Sequence, residues 1–557
     1  MTQFNASKYL PFVTVAKTDR RWPNRVIENA PQWCSVDLRD GNQALIDPMT
    51  PEQKLEMFEM LVSVGFKQIE VGFPAASQTD FDFVRKLVVE NRIPDDVTIQ
   101  VLTQARKELI DRTYESLDGV AKAIVHVYNS TSTVQREQVF KLSETEIKQI
   151  AIDGASWVKL AAEGYADTDW QFQYSPESFT GTELDYAVQV CNAVIDVWQP
   201  TPEKKIILNL PATVEVATPN VYADQIEWFC DHIKLRDAVT ISLHTHNDRG
   251  CGVAASELGV LAGADRVEGT LLGNGERTGN MDIVTMGMNL YSQGVDPQLD
   301  FSRMDKIIHV VEKCTALKVH PRHPYAGELV FAAFSGSHQD AINKCLALYQ
   351  DGKPWEVAYL PIDPRDLGRS YQEVIRINSQ SGKGGVAYVL EQEHAIKMPR
   401  WLQVDFSPVV QREAENTESE VSAEQIFDLF QRTYLQPSQA MSLKSYQVAR
   451  QEGTDSMHAT LVDRGQEYTI KGEGRGVLEA FVEGLSKHIG QTFVIIDYNE
   501  HTLGSNEGAE AITYVQISIN QQRICAAGKS RDILGATLNA ILNAVTRSGW
   551  SGVQRVA

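Results

Sequence analysis

The strongest constraint on the fold of this chain is a set of eight short apolar segments, rich in β-forming residues, that recur through its first 270 residues. Between them lie stretches whose apolar residues repeat with helical spacing, such as Pro51–Val64 and Asn220–Ile233. Alternation of this kind, mostly at intervals of 25 to 35 residues, is typical of βαβ units. The eight segments are Trp33–Leu38, Gln68–Phe73, Thr98–Leu102, Ala123–Tyr128, Trp157–Ala161, Lys205–Leu210, Val239–Leu243 and Arg266–Gly269.

Eight βαβ units predict an α/β fold whose parallel strands close into a (β/α)8 barrel, the TIM-barrel architecture. A doubly wound open sheet is the alternative that the same alternation allows. No tandem repeat is visible in the sequence, which argues against a solenoid.

The pattern changes after about residue 325, where helices and turn-rich connections replace the alternation. We expect a barrel at residues 1–327 and helical linker subdomains at 328–436. The Glu-rich stretch Gln411–Glu424 is predicted to be an exposed connection that leads into a helix near Ile426–Phe430.

A third pattern begins near residue 437 and predicts an α+β domain at 437–557, which is long enough to bury its own core. Two helices are predicted, at Gly476–His488 and Arg531–Arg547. Glycines 472, 474, 476 and 528 precede them and could form turns around a small ligand, or could simply be ordinary turn glycines. The predicted strands are Ser442–Val448, Ser456–Val462, Tyr468–Gly472, Phe493–Tyr498 and Ile512–Ile519.

Charge and cysteine usage narrow the class of protein. A formal charge of -21 weighs against nucleic acid or an anionic membrane as the main partner. Seven cysteines without a C-x-x-C pair indicate neither a disulfide framework nor a thiolate zinc site. Because the sequence also contains no apolar run of about 18 residues and no secretory leader pattern, we expect a cytoplasmic protein.

The most specific local motif is Leu243–Asp248, which ends the seventh segment with the pair His244 and His246. Side chains two apart on a strand share a face, so both imidazoles can point at one metal ion. The alternative is that one histidine is hydrogen-bonded and the other is exposed. The position of the pair at the carboxyl end of a barrel strand favours the metal site, since such barrels keep their active sites there.

Two more polar motifs follow the first and eighth segments. Asp40, with Arg39 beside it, could complete a carboxylate and two-histidine site, although a surface turn also explains the Asp and Gly residues. The glycine-rich loop at Gly273–Asn280 connects a strand to a helix, and its amides could cradle an anion. Its glycine spacing fits neither a Walker loop nor a dinucleotide fingerprint.

Further polar residues are expected at the same barrel mouth: His126 ends the fourth segment, Tyr174–Glu177 follows the fifth and Thr213 follows the sixth. Each alone is more often a residue of the core or of a loop. Together they form a candidate substrate pocket. Oxygen and imidazole ligands without thiolate suit Mg, Mn or Zn acting as a Lewis acid on a chelating keto acid.

Taken together, these motifs resemble the 2-isopropylmalate synthase family, in particular its long form. The resemblance rests on R-D-G-N-Q, H-T-H-N-D-R-G and G-N-G-E-R-T-G-N, and it covers nearly the whole chain. These stretches begin at Arg39, His244 and Gly273. The resemblance continues through Ser335–Ile342, Leu360–Arg369, Asn378–Gly385 and the C-terminal domain.

The resemblance implies an acyltransferase of leucine biosynthesis that condenses acetyl-CoA with 2-oxoisovalerate to give 2-isopropylmalate and CoA. It implies a divalent cation as cofactor (Mg, Mn or Zn), acetyl-CoA as co-substrate, and allows K+ as an activator. It also implies a homodimer in which leucine, bound to the C-terminal regulatory domain, acts as an allosteric inhibitor. The implied metal ligands are Asp40, His244, His246 and Asn280.

Other roles are carried over where the motifs match. Arg39 would stabilise the developing alkoxide and Thr213 would bind the substrate carboxylate. The isopropyl pocket would be bordered by Leu102, His126 and Ser175. For proton transfer the candidates are Glu177 and His338, with Tyr371 as a polar partner and a metal-bound water as the alternative base. His338 and Tyr371 lie in the linker region, which in the family reaches across a dimer, so the resemblance implies a composite site.

Two other functions remain open on the sequence. Homocitrate or citramalate synthase would differ in the pocket for the keto acid side chain. A catalytically silent amino-acid-binding regulator would need the C-terminal domain but no metal ligands, whereas all four implied ligands are present.

Overall fold

The computed structural model describes residues 6–369, 383–417, 421–436, 441–451, 453–463, 465–503 and 510–550. The chain divides into two compact units. The first comprises Met1–Val330 with Arg365–Gly368, and the second comprises Phe331–Pro364 with Arg369–Ala557.

The first unit is a closed barrel of eight parallel strands in sequential order, which confirms the predicted barrel. Its strands are β1 (Gln32–Ser35), β2 (Gln68–Gly72), β3 (Thr98–Gln104), β4 (Lys122–Ser130), β5 (Asp169–Glu177), β6 (Ile206–Ala212), β7 (Val239–Thr245) and β8 (Arg266–Gly269). Its helices are α1 (Pro51–Val64), α2 (Gln78–Val89), α3 (Lys107–Ser116), α4 (Glu144–Glu163), α5 (Leu184–Trp198), α6 (Pro219–His232), α7 (Gly252–Leu261), α8 (Ile283–Tyr291) and α9 (Met304–Thr315).

Helix α1 begins and ends where local sequence signals place its ends. In α1, Thr50 and Gln53 form a capping box, Pro51 occupies the first turn, and Gly65 ends the helix in the left-handed conformation. These signals explain why the predicted bounds of this helix agree with the structure.

The predicted fifth strand is wrong. Trp157–Ala161 lies inside α4, which begins at a capping box formed by Ser143 and Glu146. The true fifth strand, β5, lies further along the chain and alternates apolar and polar residues. Its polar side chains face the barrel interior, so it lacks the apolar run by which a buried strand is recognised.

The second unit begins with helices α10 (Gly336–Leu348), α11 (Lys383–His394), α12 (Arg400–Thr417) and α13 (Ala423–Phe430). The expected exposed connection at Gln411–Glu424 is therefore wrong for its first half, which belongs to α12. The predicted helix near Ile426–Phe430 is present as α13 and starts at a capping box formed by Ser422 and Gln425.

The C-terminal part contains two three-stranded antiparallel sheets, each followed by one helix. The first sheet and its helix consist of β9 (Ser442–Gln451), β10 (Thr454–Asp463), β11 (Gln466–Gly474) and α14 (Val477–Ile489). The second is β12 (Phe493–Leu503), β13 (Glu510–Ile519), β14 (Gln522–Ser530) and α15 (Ile533–Arg547). All five predicted strands are present, and β14 was missed.

Two glycines explain how each helix packs on its own sheet. A Cβ on Gly472 would lie 2.0 Å from the carbonyl oxygen of Ala480, and one on Gly528 would lie 2.2 Å from that of Ala536. Both glycines are strand residues in close contact with a helix backbone, so neither forms the turn that both interpretations placed there.

Within the part of the chain that the structure describes, every helix is too short or too polar to cross a bilayer.

Candidate functional site

The carboxyl ends of the barrel strands surround a cavity of about 420 Å³. Both the strand ends and the loops that follow them contribute its walls. The lining residues are Arg39, Asp40, Gln43, Phe73, Leu102, His126, Tyr128, Ser175, Glu177, Asn209, Pro211, Thr213, His244, His246, Glu276 and Arg277.

One carboxylate and two imidazoles converge at this cavity. Asp40 lies on a wide helical turn directly after β1, whereas His244 and His246 flank Thr245 at the end of β7. The Nε2 atoms of His244 and His246 lie 3.3 and 3.5 Å from Oδ2 of Asp40. All three side chains are buried, and their ligand atoms lie close enough together to share one ion.

Asn280 joins this cluster through the backbone, because it forms an isolated β-bridge with His246. The glycine loop allows that approach: a Cβ on Gly275 would lie 2.1 Å from Nδ2 of Asn280. Nδ2 donates to the carbonyl of Asn274, while Oδ1 is buried without a hydrogen-bond partner in the described chain. A free amide oxygen, a carboxylate and two imidazoles form a donor set that fits a hard or borderline divalent cation.

The charges around Asp40 keep it ionised. Burial raises the pKa of Asp40, but Arg39 and the two imidazoles outweigh burial and hold the pKa well below its usual range. Arg39 reaches Oδ1 of Asp40 at 3.0 Å and Oε2 of Glu70 at 3.2 Å. The site therefore presents a carboxylate together with a cationic side chain that can stabilise an oxyanion.

The two histidines differ in their surroundings. Burial lowers the pKa of His244, but its contacts with Asp40 and Glu268 raise it to about 9. Burial and the neighbouring His244 lower the pKa of His246 to about 4. The neighbouring carboxylates therefore favour the charged form of His244 more than that of His246.

A second group of polar side chains, joined by hydrogen bonds, crosses the cavity floor. Nδ1 of His126 lies 3.3 Å from Oε1 of Glu70, and Nε2 of His126 lies 2.7 Å from Oγ of Ser175. Asn209 donates to the same Oγ at 3.0 Å. These contacts fix the positions of His126 and Ser175, which sequence analysis assigned to the substrate pocket.

The side chains of Glu70, His126 and Glu268 also lie close enough together to hold an ion. Each carboxylate is already neutralised, because Arg39 pairs with Glu70 and Arg266 pairs with Glu268. A second divalent cation would add uncompensated positive charge to a buried site, so this cluster is better explained as a structural network.

The remaining sequence-predicted residues of the barrel also lie at the cavity. Leu102 is buried, Glu177 accepts a hydrogen bond from Oγ of Ser130, and Oγ1 of Thr213 accepts one from the backbone N–H of Ser178 at 2.9 Å.

Two predicted residues lie beyond the barrel in sequence. His338 lies on α10, where its ring stacks on that of Tyr359 with the centroids 4.1 Å apart. Tyr371 lies outside the described residues.

Several residues of the site network were missed by the sequence analysis: Glu70, Asn209, Arg266 and Glu268. Glu70 and Asn209 interrupt otherwise apolar segments of β2 and β6, whereas Arg266 and Glu268 alternate with Val267 and Gly269 on β8. A polar residue inside an otherwise apolar barrel strand is the signal that could have identified them.

Three family models match the chain in succession. They are HMGL-like at residues 30–311, alpha-isopropylmalate synthase post-catalytic domain-like at 328–391, and the LeuA allosteric (dimerisation) domain at 420–548. A relative from Parafrankia sp. (strain EAN1pec), named 2-isopropylmalate synthase, is 56% identical over 97% of both chains. A relative of the same name from Alcanivorax borkumensis is 54% identical over 100% of this chain and 99% of its own.

Proposed function

The chain belongs to the 2-isopropylmalate synthase family, and on this premise we propose that its barrel condenses acetyl-CoA with 2-oxoisovalerate to give 2-isopropylmalate and CoA. The observation that carries the proposal is the convergence of Asp40, His244, His246 and Arg39 in one cavity. A carbon–carbon bond to a ketone requires an electrophilic carbonyl, and this combination of side chains suits that demand.

Asp40, His244, His246 and Asn280 would hold the divalent cation, with Mg, Mn and Zn all compatible with the donor set. A bound cation of this kind supplies Lewis acidity to the keto group of a chelating 2-oxo acid. We also propose K+ as an activator, an assignment that is supported only by the family resemblance.

Arg39 and Thr213 would orient the 2-oxo acid. Arg39 stabilises the negative charge that develops on the keto oxygen as the new bond forms, and Thr213 binds the carboxylate. Leu102, His126 and Ser175 border the isopropyl group. The short contact between His126 and Ser175 supports a pocket wall whose polar atoms bond to one another, which leaves room for an apolar substrate group.

The condensation also requires removal of a methyl proton from acetyl-CoA and delivery of a proton to the alkoxide. Glu177 and His338 are proposed for these transfers, with Tyr371 as their polar partner. The position of Glu177 on the cavity wall supports its assignment. His338 and Tyr371 are assigned on the resemblance alone, as residues of a site shared between two chains.

We assign the barrel to 1–327, the linker subdomains to 328–436 and a regulatory domain that binds leucine to 437–557. A homodimer is supported by β12, an edge strand of its sheet, on which Val494, Ile496 and Tyr498 are 61%, 44% and 51% exposed. The edge strand thus carries three exposed apolar side chains that a second copy of the chain would cover in the proposed dimer.

A thiol-release assay tests the reaction. Acetyl-CoA is offered with 2-oxoisovalerate, pyruvate or 2-oxoglutarate, each with and without a chelator. We expect the highest kcat/KM with 2-oxoisovalerate and loss of CoA release after chelation. Preference for pyruvate would indicate a citramalate synthase, and preference for 2-oxoglutarate a homocitrate synthase. Absence of thiol release with all three acids would favour a silent regulator.

A further inference from the structure

A buried carboxylate on β8 lies beneath the cavity and takes no part in the proposed reaction. Glu268 is 1% exposed, and Oε2 of its carboxylate lies 2.8 Å from Nδ1 of His244. The same imidazole turns its other nitrogen, Nε2, toward Asp40. Glu268 therefore contacts a proposed metal ligand on the side away from the ion.

The carboxylate of Glu268 is fixed by its other oxygen. Oε1 accepts hydrogen bonds from Nη1 of Arg266 at 2.7 Å, from Nε2 of Gln173 at 2.8 Å and from Nε2 of Gln100 at 3.3 Å. Three donors on Oε1 prevent the carboxylate from turning, so Oε2 is the oxygen left to face His244.

Arg266 is fixed in turn. This fully buried side chain also donates to Oε1 of Gln68 at 2.5 Å, to Oγ of Ser242 at 2.8 Å and to Oε1 of Gln100 at 2.8 Å. Its guanidinium forms a fully buried ion pair with the carboxylate of Glu268, with Nη1 and Oε1 2.7 Å apart. The buried carboxylate therefore has a fixed cationic partner and acts as a hydrogen-bond acceptor.

An ionised carboxylate can only accept hydrogen bonds, so the imidazole nitrogen that faces it must carry the proton. For His244 this nitrogen is Nδ1, so the nitrogen from which a bound cation can displace the proton is Nε2, on the side of Asp40. His246 has no such support, because its Nδ1 is buried without a partner in the described chain. The two proposed imidazole ligands are thus unequally constrained.

We propose that Glu268, held in place by Arg266, is a positioning residue of the cation site that fixes His244 as a ligand through Nε2. This inference rests on the proposed assignment of Asp40, His244 and His246 as cation ligands. It assigns the arginine and glutamate of β8, two buried charges that do not line the cavity, a defined role in metal affinity.

The test measures Mn²⁺ affinity of the full chain after metal has been removed with a chelator and dialysed away. Free Mn²⁺ is followed by electron paramagnetic resonance at fixed pH. Glu268→Gln should weaken Mn²⁺ binding about 10- to 100-fold. The three donors on Oε1 would hold the oxygen of the introduced amide, so its NH₂ group would face Nδ1 of His244 and force the proton onto Nε2.

Two further variants separate positioning from general damage to the network. Ser242→Ala removes a hydrogen-bond partner of Arg266 whose hydroxyl bonds to neither Glu268 nor His244 in the described chain, and it should leave Mn²⁺ affinity within about twofold of wild type. In a His244→Ala background, Glu268→Gln should cause no further loss, because the residue through which Glu268 acts is gone.

Asp40→Ala distinguishes failure of this inference from failure of the proposed site. If Asp40→Ala binds Mn²⁺ as wild type does, the assignment of the cation site itself is wrong. If Asp40→Ala loses Mn²⁺ while a folded Glu268→Gln binds it with wild-type affinity, only the positioning role is refuted.

Glu268→Asp covers the case in which the glutamine variant does not fold. Aspartate keeps the charge that Arg266 requires but is one methylene too short to reach both Arg266 and His244. We expect a smaller loss of Mn²⁺ affinity in the same direction. Unchanged affinity in a folded Glu268→Asp protein would overturn the inference.

Discussion

The barrel and the C-terminal sheets bury opposite kinds of interior. Beneath the barrel cavity lie charged side chains, among them Glu70, Arg266 and Glu268, all at most 1% exposed. The core of the C-terminal part is apolar and is formed by residues such as Ile517 and Leu542. Burial of charge is costly unless each charge is paired, whereas burial of apolar surface is favourable without further conditions.

The difference indicates what each interior is for. A protein gains little stability from a network of buried ion pairs, since apolar residues of the same volume would serve as well. A charged interior directly below a cavity therefore points to selection for chemistry. The apolar core of the C-terminal part stabilises the fold of that part. Substitutions in the two regions should accordingly affect different properties.

The largest effect is expected at the cation site. His246→Ala removes a ligand, and loss of Lewis-acid assistance worth several kcal/mol should lower kcat/KM by about 10³-fold or more. The circular dichroism spectrum and the unfolding midpoint should stay close to wild type. Near-normal turnover in this variant, unaffected by chelator, would contradict the assignment of His246 as a cation ligand. It would also contradict the view that the charged interior of the barrel serves the reaction.

A second prediction tests whether catalysis is confined to the barrel unit. His338→Ala should lower kcat about 10²- to 10⁴-fold with little change in the affinity for 2-oxoisovalerate, since proton transfer by a positioned histidine contributes a factor of this size. Stopped-flow and steady-state rates separate the two quantities.

Mixed dimers extend this test. A chain with Asp40→Ala and a chain with His338→Ala are each expected to be inactive alone. When they are combined, activity should return in part if each site draws residues from both chains. Verified mixed dimers without recovered activity would show that each site is built from a single chain.

A third prediction concerns the apolar core. Ile541 is fully buried on α15, so Ile541→Ala should lower the free energy of unfolding of the C-terminal part by about 2–5 kcal/mol. Ile533 on the same helix is 50% exposed, and Ile533→Ala should change that free energy by less than about 0.5 kcal/mol. Hydrogen exchange of the α15 amides measures both. Equal effects of the two substitutions would contradict the packing described.

The contrast between the two interiors also explains what the sequence could predict. Seven of the eight barrel strands lie where apolar segments predicted them, because their outward faces pack against helices. The fifth was missed since Gln173 and Ser175 face the polar interior, and the apolar segment at Trp157–Ala161 belongs to the buried face of a helix instead. β14 was missed for a related reason: its buried centre consists of small residues flanked by polar ends.

The residues at and below the cavity also divide into those that the sequence predicted and those that it did not. Motifs placed Asp40, His244 and His246 at the carboxyl ends of two strands, and the closed barrel then brings them together, although their roles stay predictions. Glu268 could not be assigned in this way. Its network includes the bond from Arg266 to Gln68, which lies 198 residues away in sequence, and no local pattern reveals a partner at that separation.

The smallest effect is expected for leucine. If leucine binds at residues 437–557, its influence on the barrel is a coupling free energy, typically about 1–3 kcal/mol, which corresponds to a 5- to 150-fold change.

Inhibition kinetics on the full chain should then show a fall in kcat that saturating 2-oxoisovalerate does not reverse, and hydrogen exchange should show protection by leucine within β9–β14 and their helices. Coupling between two binding sites is reciprocal. Any factor by which leucine weakens the binding of 2-oxoisovalerate should therefore equal the factor by which 2-oxoisovalerate weakens the binding of leucine. Inhibition that is purely competitive, with leucine protecting barrel amides and none of the C-terminal ones, would place leucine in the cavity and remove the regulatory role from the apolar region.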